Sequence, residues 1–194
     1  MSAEEVVLLD EAHRPIGTAP KAGVHTTDTP LHLAVSCYVL DDDGRLLLTR
    51  RALAKKTWPG VWTNSFCGHP GPGEGFDVAN ALRAGHELGF VVTGMTDVLP
   101  DFRYRAVMEN GVTENEMCPV FRGLVSTDPE PNPDEVDSFE WTPWAEFAPA
   151  VLAGARPVSP WCALQVAELW ALGPDPLSWP TASPSALPPA ARVS

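Results

Sequence analysis

Apolar positions recur in short runs rich in β-branched and aromatic residues, separated by turn residues, which is typical of β-strands joined by tight connections. The predicted strands cover residues 6–9, 31–40, 45–49, 62–66, 103–106, 114–125 and 139–141. Between the second and third of these, Asp41-Asp42-Asp43-Gly44 has the composition of a hairpin turn that ends in glycine. The pattern therefore predicts a domain rich in β-structure.

Two segments carry helix signals. Residues 77–88 are bounded by Asp77, predicted as the N-cap, and by Gly89 just past the end. Ser159-Pro160 predicts a second helix, with serine as N-cap and proline in the first turn, running to about residue 172. Strands that surround a loop and helices indicate the α+β class.

The last part of the chain has a different composition. Residues 173–194 hold six prolines in 22 residues and show no periodicity. Such a segment lacks the apolar surface that would offset the entropy of ordering it. We therefore expect one domain over residues 1–172, followed by a Pro-rich disordered tail over 173–194.

Charge limits the classes of partner. The chain has 13 basic and 25 acidic residues, a net charge of -12, which argues against nucleic acid and against an anionic membrane. Residues 45–105 nevertheless carry a net charge of +3, which is either a solvated face or a site for a small anion. The four cysteines form no CxxC pair, and no run approaches ~20 apolar residues, so we expect a cytoplasmic protein with free thiols.

Histidines and a pair of carboxylates are the first candidates for chemistry. His25, His32 and His69 lie among polar neighbours, and alternation along a strand places Glu114 and Glu116 on one face. Two adjacent carboxylates repel each other unless a cation or a proton lies between them. Three imidazoles and two carboxylates suit Mn²⁺, Mg²⁺ or Zn²⁺. The alternative is structural histidines beside a solvent-facing strand edge.

The helix over 77–88 belongs to a loop-helix motif. Gly68-x5-Glu74 followed by Glu87-x-Gly89 resembles the Nudix box, in which acidic side chains hold metal bound to a diphosphate. Leu82, Arg83 and His86 stand where that pattern has Arg, Glu and Glu. The hydrolytic carboxylate cluster is largely missing, and Arg83 indicates that a diphosphate is bound and not cut. On spacing alone, Arg83 and Glu87 would be an ordinary surface ion pair.

The remaining motifs closely resemble the type 1 isopentenyl-diphosphate Δ-isomerases, a family with the Nudix fold, over roughly residues 4–172. They are Leu31-His32-Leu33-Ala34, Thr49-Arg50-Arg51-Ala52, the run from Trp58 to Ser65, Cys67-Gly68-His69-Pro70, Tyr104-Arg105-Ala106 and Glu114-Asn115-Glu116. The resemblance implies a mixed β-sheet core flanked by helices. It also implies a flavin-independent, metal-dependent isomerase that interconverts isopentenyl and dimethylallyl diphosphate, with an oligomeric state that the sequence leaves open.

The resemblance also assigns roles to residues. Cys67 and Glu116 would exchange protons with the substrate, Trp161 would stabilise a tertiary carbocation, and Tyr104 would hydrogen-bond to the acid. The residues matching the family's metal ligands are His25, His32, His69, Glu114 and Glu116 for Mn²⁺ or Zn²⁺, with Glu87 and the Cys67 carbonyl for a Mg²⁺ shared with the diphosphate. The diphosphate contacts would be Lys21, Arg51, Lys55 and Arg83.

Cys67 is either this catalytic group or an inert buried thiol. Its loop, where a metal and basic residues converge, is expected to make the thiolate accessible. Two other functions stay open: a Nudix hydrolase, and a binding module of the same fold without catalysis. The missing box glutamates argue against the first, and an acid–base pair argues against the second.

Overall fold

The computed structural model describes residues 4–192, which form two β-sheets and four α-helices. The strands are β1 Glu5–Leu9, β2 Pro15–Pro20, β3 His32–Leu33, β4 Val35–Leu40, β5 Arg45–Arg51, β6 Trp62–Thr63, β7 Phe66–Gly68, β8 Thr93–Leu99, β9 Arg103–Val107, β10 Thr113–Met117, β11 Val120–Leu124 and β12 Val136–Pro143. The helices are α1 Lys21–Val24, α2 Phe76–Leu88, α3 Trp144–Leu152 and α4 Pro160–Leu172.

The first sheet has the order β2-β1-β3-β10-β9. The second has the order β12-β5-β4-β11-β8, with β6 added to β5 and β7 added to β4. Parallel pairs, β3 with β10 and β4 with β11, lie at the centre of each sheet, and the other pairs are antiparallel. Sheets of this mixed kind, flanked by helices, are the α+β architecture predicted from the sequence.

The central strand β4 separates two apolar layers. Tyr38 and Leu40 pack into the core with α3 and α4, while Val35, Cys37 and Val39 pack into the core with α2. All six residues of β4 are buried, as expected for a strand covered by helices on both faces.

Two predicted strands are each divided in the structure, and the two breaks lie side by side. The segment 31–40 is interrupted at Ala34 and the segment 114–125 at Cys118-Pro119. The Ala34 amide donates to the Met117 carbonyl at 2.9 Å, and the Ser36 amide donates to the Pro119 carbonyl at 3.0 Å. The two segments therefore pass together from the first sheet to the second. We call this crossing the seam.

The two predicted helices are present. Helix α2 ends at Gly89, whose φ of 70° is left-handed and favours glycine. Its N-cap is Gly75, however, and the predicted cap Asp77 lies inside the first turn, where its charge favours the helix dipole. Helix α4 begins as predicted, with Ser159 Oγ accepting from the Cys162 amide at 3.3 Å.

The end of the chain differs from the predicted disordered tail. Trp179 is 4% exposed and packs edge-on against Trp144, with ring centroids 5.0 Å apart. The Arg122 guanidinium donates to the Leu177 carbonyl at 2.6 Å, and the Ala182 amide donates to the Asp97 carbonyl at 2.8 Å. The proline content of a segment gives no information about such contacts. Here the contacts hold a proline-rich segment against the domain. Residues 193 and 194 of the predicted tail lie outside the described residues.

Within residues 4–192, every helix is too short or too polar to cross a membrane.

Candidate active site

A cavity of about 660 Å³ gathers the residues singled out by sequence. Of the thirteen predicted site residues, all but His32 line it, and His32 lies directly behind the wall, against Glu116. Those lining it are Lys21, His25, Arg51, Lys55, Cys67, His69, Arg83, Glu87, Tyr104, Glu114, Glu116 and Trp161. They come from sheets, helices and loops, so the fold assembles what the sequence keeps far apart.

Strand register places three functional side chains in one row of the first sheet. Glu116 on β10 lies opposite His32 on the parallel strand β3 and opposite Tyr104 on the antiparallel strand β9. Glu114 and Glu116 are both buried, and the Tyr104 hydroxyl lies 2.8 Å from one oxygen of each. Alternation along β10 therefore does put both carboxylates on one face, as predicted.

Three imidazoles surround one carboxylate oxygen. Glu116 Oε1 lies 3.0 Å from His69 Nε2, 3.4 Å from His32 Nε2 and 3.6 Å from His25 Nε2. One ligand atom from each of the four side chains falls within 4.8 Å of every other. Glu114, also predicted as a ligand, lies outside this group of four and is linked to it by the Tyr104 hydroxyl.

The nitrogens of this cluster fit a metal. His32 Nδ1 lies 2.9 Å from the Pro30 carbonyl, so the ring proton belongs there and Nε2 keeps its lone pair. The Nε2 atoms of His25 and His32 are buried and have no hydrogen-bond partner. Buried orphaned nitrogens that face a carboxylate are the arrangement that a bound cation would satisfy.

Electrostatics in the cluster lead to the same conclusion. Burial works against ionisation of Glu116, but the charge and the 3.0 Å hydrogen bond of His69, together with the nearby imidazoles of His25 and His32, hold the pKa of Glu116 well below the usual range. Burial lowers the pKa of His69 to about 4, whereas the carboxylate of Glu116 outweighs burial and raises the pKa of His32. Burial and the neighbouring charge of Glu116 raise the pKa of Glu114. A positive charge between Glu116 and the imidazoles is therefore favoured.

Cys67 faces the cavity from the second sheet. It lies on β7, directly opposite Ser36 on β4, and its Sγ is 3.2 Å from Ser36 Oγ and 3.4 Å from Asn64 Nδ2. Burial raises the pKa of the Cys67 thiol to about 12, against the opposing hydrogen bonds from Ser36 and Asn64. Cys67 is the one of the four cysteines that is only partly buried, so the sulfur is accessible from the cavity as expected, but its raised pKa favours the thiol over the expected thiolate.

Trp161 is held rigidly beside these groups. It is 2% exposed, and its Nε1 donates to Asn64 Oδ1 at 3.0 Å. Its ring centroid lies 5.9 Å from that of Tyr104 and 5.5 Å from that of Trp58, which packs edge-on. The Arg51 guanidinium carbon lies 5.5 Å from the Trp161 ring centroid. Because the indole ring already lies against the Arg51 cation, its π face is suited to stabilise a positive charge that develops nearby.

One end of the cavity is lined by cations that are paired with acids. Lys21 Nζ and Arg83 Nη2 lie 2.8 Å and 3.0 Å from the same oxygen of Glu4. These two hydrogen bonds lower the pKa of Glu4 to about 2. Lys55 forms an ion pair with Glu135. Arg83 thus pairs with Glu4, not with Glu87 as a surface pair would, and Glu4 and Glu135 mark where an anion could bind.

Sequence reasoning missed some of the residues that support the site. Asn64 joins Cys67 to Trp161, and it lies inside the quoted run from Trp58 to Ser65, which could have revealed it. Ser36 carried no signal, since it is one polar residue in an apolar strand. In the sequence, Glu4 and Glu135 are indistinguishable from the other residues of the acidic excess.

Comparison with known proteins agrees with this geometry. A family model described as the NUDIX domain matches residues 30–162. Isopentenyl-diphosphate Delta-isomerase of Saccharopolyspora erythraea is 54% identical over 191 residues, covering 98% of this chain and 98% of that protein. The chain belongs to the isopentenyl-diphosphate Delta-isomerase family. Another relative of that name, from Kocuria rhizophila, is 56% identical over 165 residues, covering 85% of this chain and 92% of its own length.

Solved structures show that this isomerase-family chain has the Nudix fold. DR0079 from Deinococcus radiodurans has a TM-score of 0.65 at 19% identity, covering 85% of this chain and 98% of that one. A MutT NUDIX hydrolase from Burkholderia pseudomallei has a TM-score of 0.56 at 18% identity, covering 72% of this chain and 98% of that one. At these identities the likeness concerns the fold alone. The predicted family and fold class are confirmed.

Proposed function

We propose that the protein interconverts isopentenyl diphosphate and dimethylallyl diphosphate by a 1,3-proton shift, and so supplies precursors for isoprenoid synthesis. The observation that carries the proposal is that one cavity holds a thiol, a buried carboxylate and an aromatic face, with cations at one end. Family membership supports the same reaction.

The reaction needs one proton donor and one proton acceptor. A proton is added to the terminal alkene carbon, which leaves a tertiary carbocation, and a proton is then removed from C2 to form the new double bond. Cys67 and Glu116 are the pair that we assign to these transfers. The Tyr104 hydroxyl, 2.8 Å from Glu116, donates to the carboxylate in its charged form and holds it in place.

The carbocation must be stabilised without being captured. The Trp161 ring offers a π face that attracts a cation and forms no bond with it. The aromatic wall that Trp161 shares with Tyr104 would also help to exclude water, which would otherwise add to the cation. Lys21, Arg51, Lys55 and Arg83 would bind the diphosphate and thereby fix the alkene relative to Cys67 and Glu116. The substrate's phosphates would then replace the carboxylates of Glu4 and Glu135.

The donor sets favour two metal ions. His25, His32, His69 and Glu116, with Glu114 nearby, would hold Mn²⁺ or Zn²⁺, and Glu87 with the Cys67 carbonyl would hold Mg²⁺ together with the diphosphate. When bound, such ions supply positive charge that lowers the pKa of their ligands and helps to hold the substrate. The free thiols of all four cysteines fit a reducing compartment such as the cytoplasm.

A single experiment separates isomerase, hydrolase and binding module. The protein is incubated with isopentenyl diphosphate and Mg²⁺ in D₂O while the methyl and vinyl signals are followed by NMR. Deuterated dimethylallyl diphosphate is the expected product. Release of phosphate or pyrophosphate would instead indicate a hydrolase, and bound but unchanged substrate would indicate a module without catalysis. Cys67→Ala should keep the fold and the metal but lose nearly all turnover.

A further inference from the structure

A chain of buried polar groups leads from the interior of α4 to the Cys67 sulfur. Ser36 Oγ, which lies 3.2 Å from Cys67 Sγ, is also 2.9 Å from Gln165 Nε2, and Gln165 Oε1 is 3.0 Å from the Tyr38 hydroxyl. Gln165 and Tyr38 are fully buried, and Ser36 is 1% exposed. Burying three polar side chains beside a reactive thiol is unfavourable unless all of them are hydrogen-bonded, so the chain has the character of a specific network.

The fold explains how these groups meet. Ser36 and Cys67 are directly opposed on neighbouring antiparallel strands, so their side chains lie on the same face of the sheet. Trp161 and Gln165 are four residues apart on α4 and therefore share one helix face. The same helix face thus delivers the indole proposed to stabilise the carbocation and the amide that contacts Ser36.

The network has a direction. Tyr38 donates to Gln165 Oε1, which leaves the amide nitrogen facing Ser36, where it donates to Oγ. With one lone pair used, the Ser36 hydroxyl still has one proton, and two sulfurs lie within reach: Cys67 at 3.2 Å and Cys118 at 3.3 Å. All partners are satisfied when the Cys118 thiol donates to Ser36 and Ser36 donates to Cys67.

Asn64 blocks the other direction for the Cys67 proton. Its Oδ1, 3.5 Å from Cys67 Sγ, already accepts from Trp161 Nε1 at 3.0 Å and from Thr63 Oγ1 at 2.8 Å. Its Nδ2 lies 3.4 Å from the sulfur, but its two protons are already donated to the Phe66 carbonyl at 2.8 Å and to the Cys37 carbonyl at 3.1 Å. With Asn64 Oδ1 filled, and with Ser36 Oγ accepting from Gln165 and Cys118, Cys67 has no free acceptor on the protein side, which leaves the cavity as the direction for its S–H bond.

We propose that Gln165 and Ser36 are positioning residues of the isomerisation: they hold the Cys67 sulfur as a hydrogen-bond acceptor, with its proton directed at the substrate. This rests on the proposed function, in which Cys67 exchanges a proton with the alkene. The same Ser36 donor stabilises the sulfur after its proton has left, so the arrangement serves proton transfer in either direction.

Substitutions along the chain test the proposal. Ser36→Ala removes the donor to Cys67, and Gln165→Met removes the amide while nearly keeping side-chain length. Each is expected to lower kcat about tenfold to a hundredfold with KM changed less than about twofold, because substrate binding is intact and only the alignment of the thiol is lost. Val166→Ala on the same helix is the matched control: it shortens a fully buried side chain without removing a hydrogen bond, and should lower Tm but keep kcat.

A further variant tests the direction. Gln165→Glu has only acceptors when ionised and would draw the Ser36 hydroxyl away from Cys67, so kcat should fall at least as far as in Gln165→Met. Wild-type kcat in Gln165→Glu would mean that the hydrogen bonds between Gln165, Ser36 and Cys67 point in the opposite direction, and would overturn the proposal. Wild-type kcat in a folded Ser36→Ala protein would overturn it as well.

A readout independent of turnover separates this proposal from the proposed function. Labelling of Cys67 by iodoacetamide at fixed pH is followed by mass spectrometry, with buried Cys37 and Cys162, which do not contact Ser36, as internal references. Labelling of Cys67 should slow severalfold in Ser36→Ala and stay unchanged in Val166→Ala. If the wild-type protein does not isomerise the substrate, the proposed function fails, and a labelling contrast would then show only that Ser36 donates to Cys67. If the protein does isomerise the substrate but labelling is equal in all three proteins, the positioning role alone is refuted.

Discussion

Replacing Trp161 tests whether its aromatic face or merely its volume serves the reaction. A desolvated cation over an indole is stabilised by about 2 kcal/mol or more. Because about 1.4 kcal/mol corresponds to a tenfold change in rate, Trp161→Leu should lower kcat at least about thirtyfold. Trp161→Phe keeps a π face but loses the 3.0 Å hydrogen bond to Asn64. Its kcat should therefore fall by less than about tenfold. KM should change less than kcat in both variants, since of the four proposed diphosphate contacts Arg51 lies against the Trp161 ring and the other three are not among its ring contacts.

Stability must be followed in the same variants, because Trp161 is 2% exposed and shortening it leaves a cavity. Trp161→Leu is expected to lower the free energy of unfolding by about 3 kcal/mol, measured by urea denaturation. Trp58→Leu is the matched control: Trp58 packs edge-on against Trp161 but does not line the cavity, so kcat should be nearly unchanged. If Trp161→Leu retains wild-type kcat, or if Trp58→Leu loses as much, stabilisation of the carbocation by Trp161 is refuted.

Three other predictions concern stability. Ser159→Ala removes the N-cap of α4 and should lower the free energy of unfolding by about 1–2 kcal/mol in urea titrations; an unchanged midpoint would contradict the cap's role. Burial raises the pKa of Asp97 to about 6, so the folded protein loses stability as pH rises from about 4 to about 6. Asp97→Asn should therefore raise Tm at about pH 7.5 and barely change it at about pH 4, and the reverse order would show that the shift has the opposite sign. Trp179→Ala should lower the free energy of unfolding by about 3 kcal/mol and expose the end of the chain to proteases; equal protease resistance would contradict its docking on Trp144.

The sequence was informative wherever function depends on residues close together along the chain. Cys67 and His69 share one motif, Glu114 and Glu116 share one strand, and the resemblance supplied the more distant Trp161. The hydrophobic pattern does not predict the seam, because Ala34 lies within a continuous apolar run. Only its backbone pairing with Met117 shows that the segment changes sheets there. Helix α3 was missed because its nine residues include Pro149, which weakens a helix signal.

Long-range side-chain contacts were beyond the sequence for a physical reason. Ser36 and Gln165 are 129 positions apart, and neither is unusual in its own segment. Their partnership depends on the angle at which α4 crosses the second sheet, which tertiary packing decides. The end of the chain shows the same limit, since one buried tryptophan outweighs the composition of the segment around it.

The seam connects the strands that carry the two groups proposed to transfer protons. Glu116 belongs to the first sheet and Cys67 to the second, and continuous backbone with hydrogen bonds at Ala34 and Ser36 ties those sheets together. The separation of Glu116 and Cys67 is therefore set by paired strands and not by loops. Exposed residues at the cationic end, such as Glu4, can be exchanged without disturbing that separation. Substitutions at that exposed end would therefore alter how the diphosphate is bound, while the seam keeps Glu116 and Cys67 at a fixed separation.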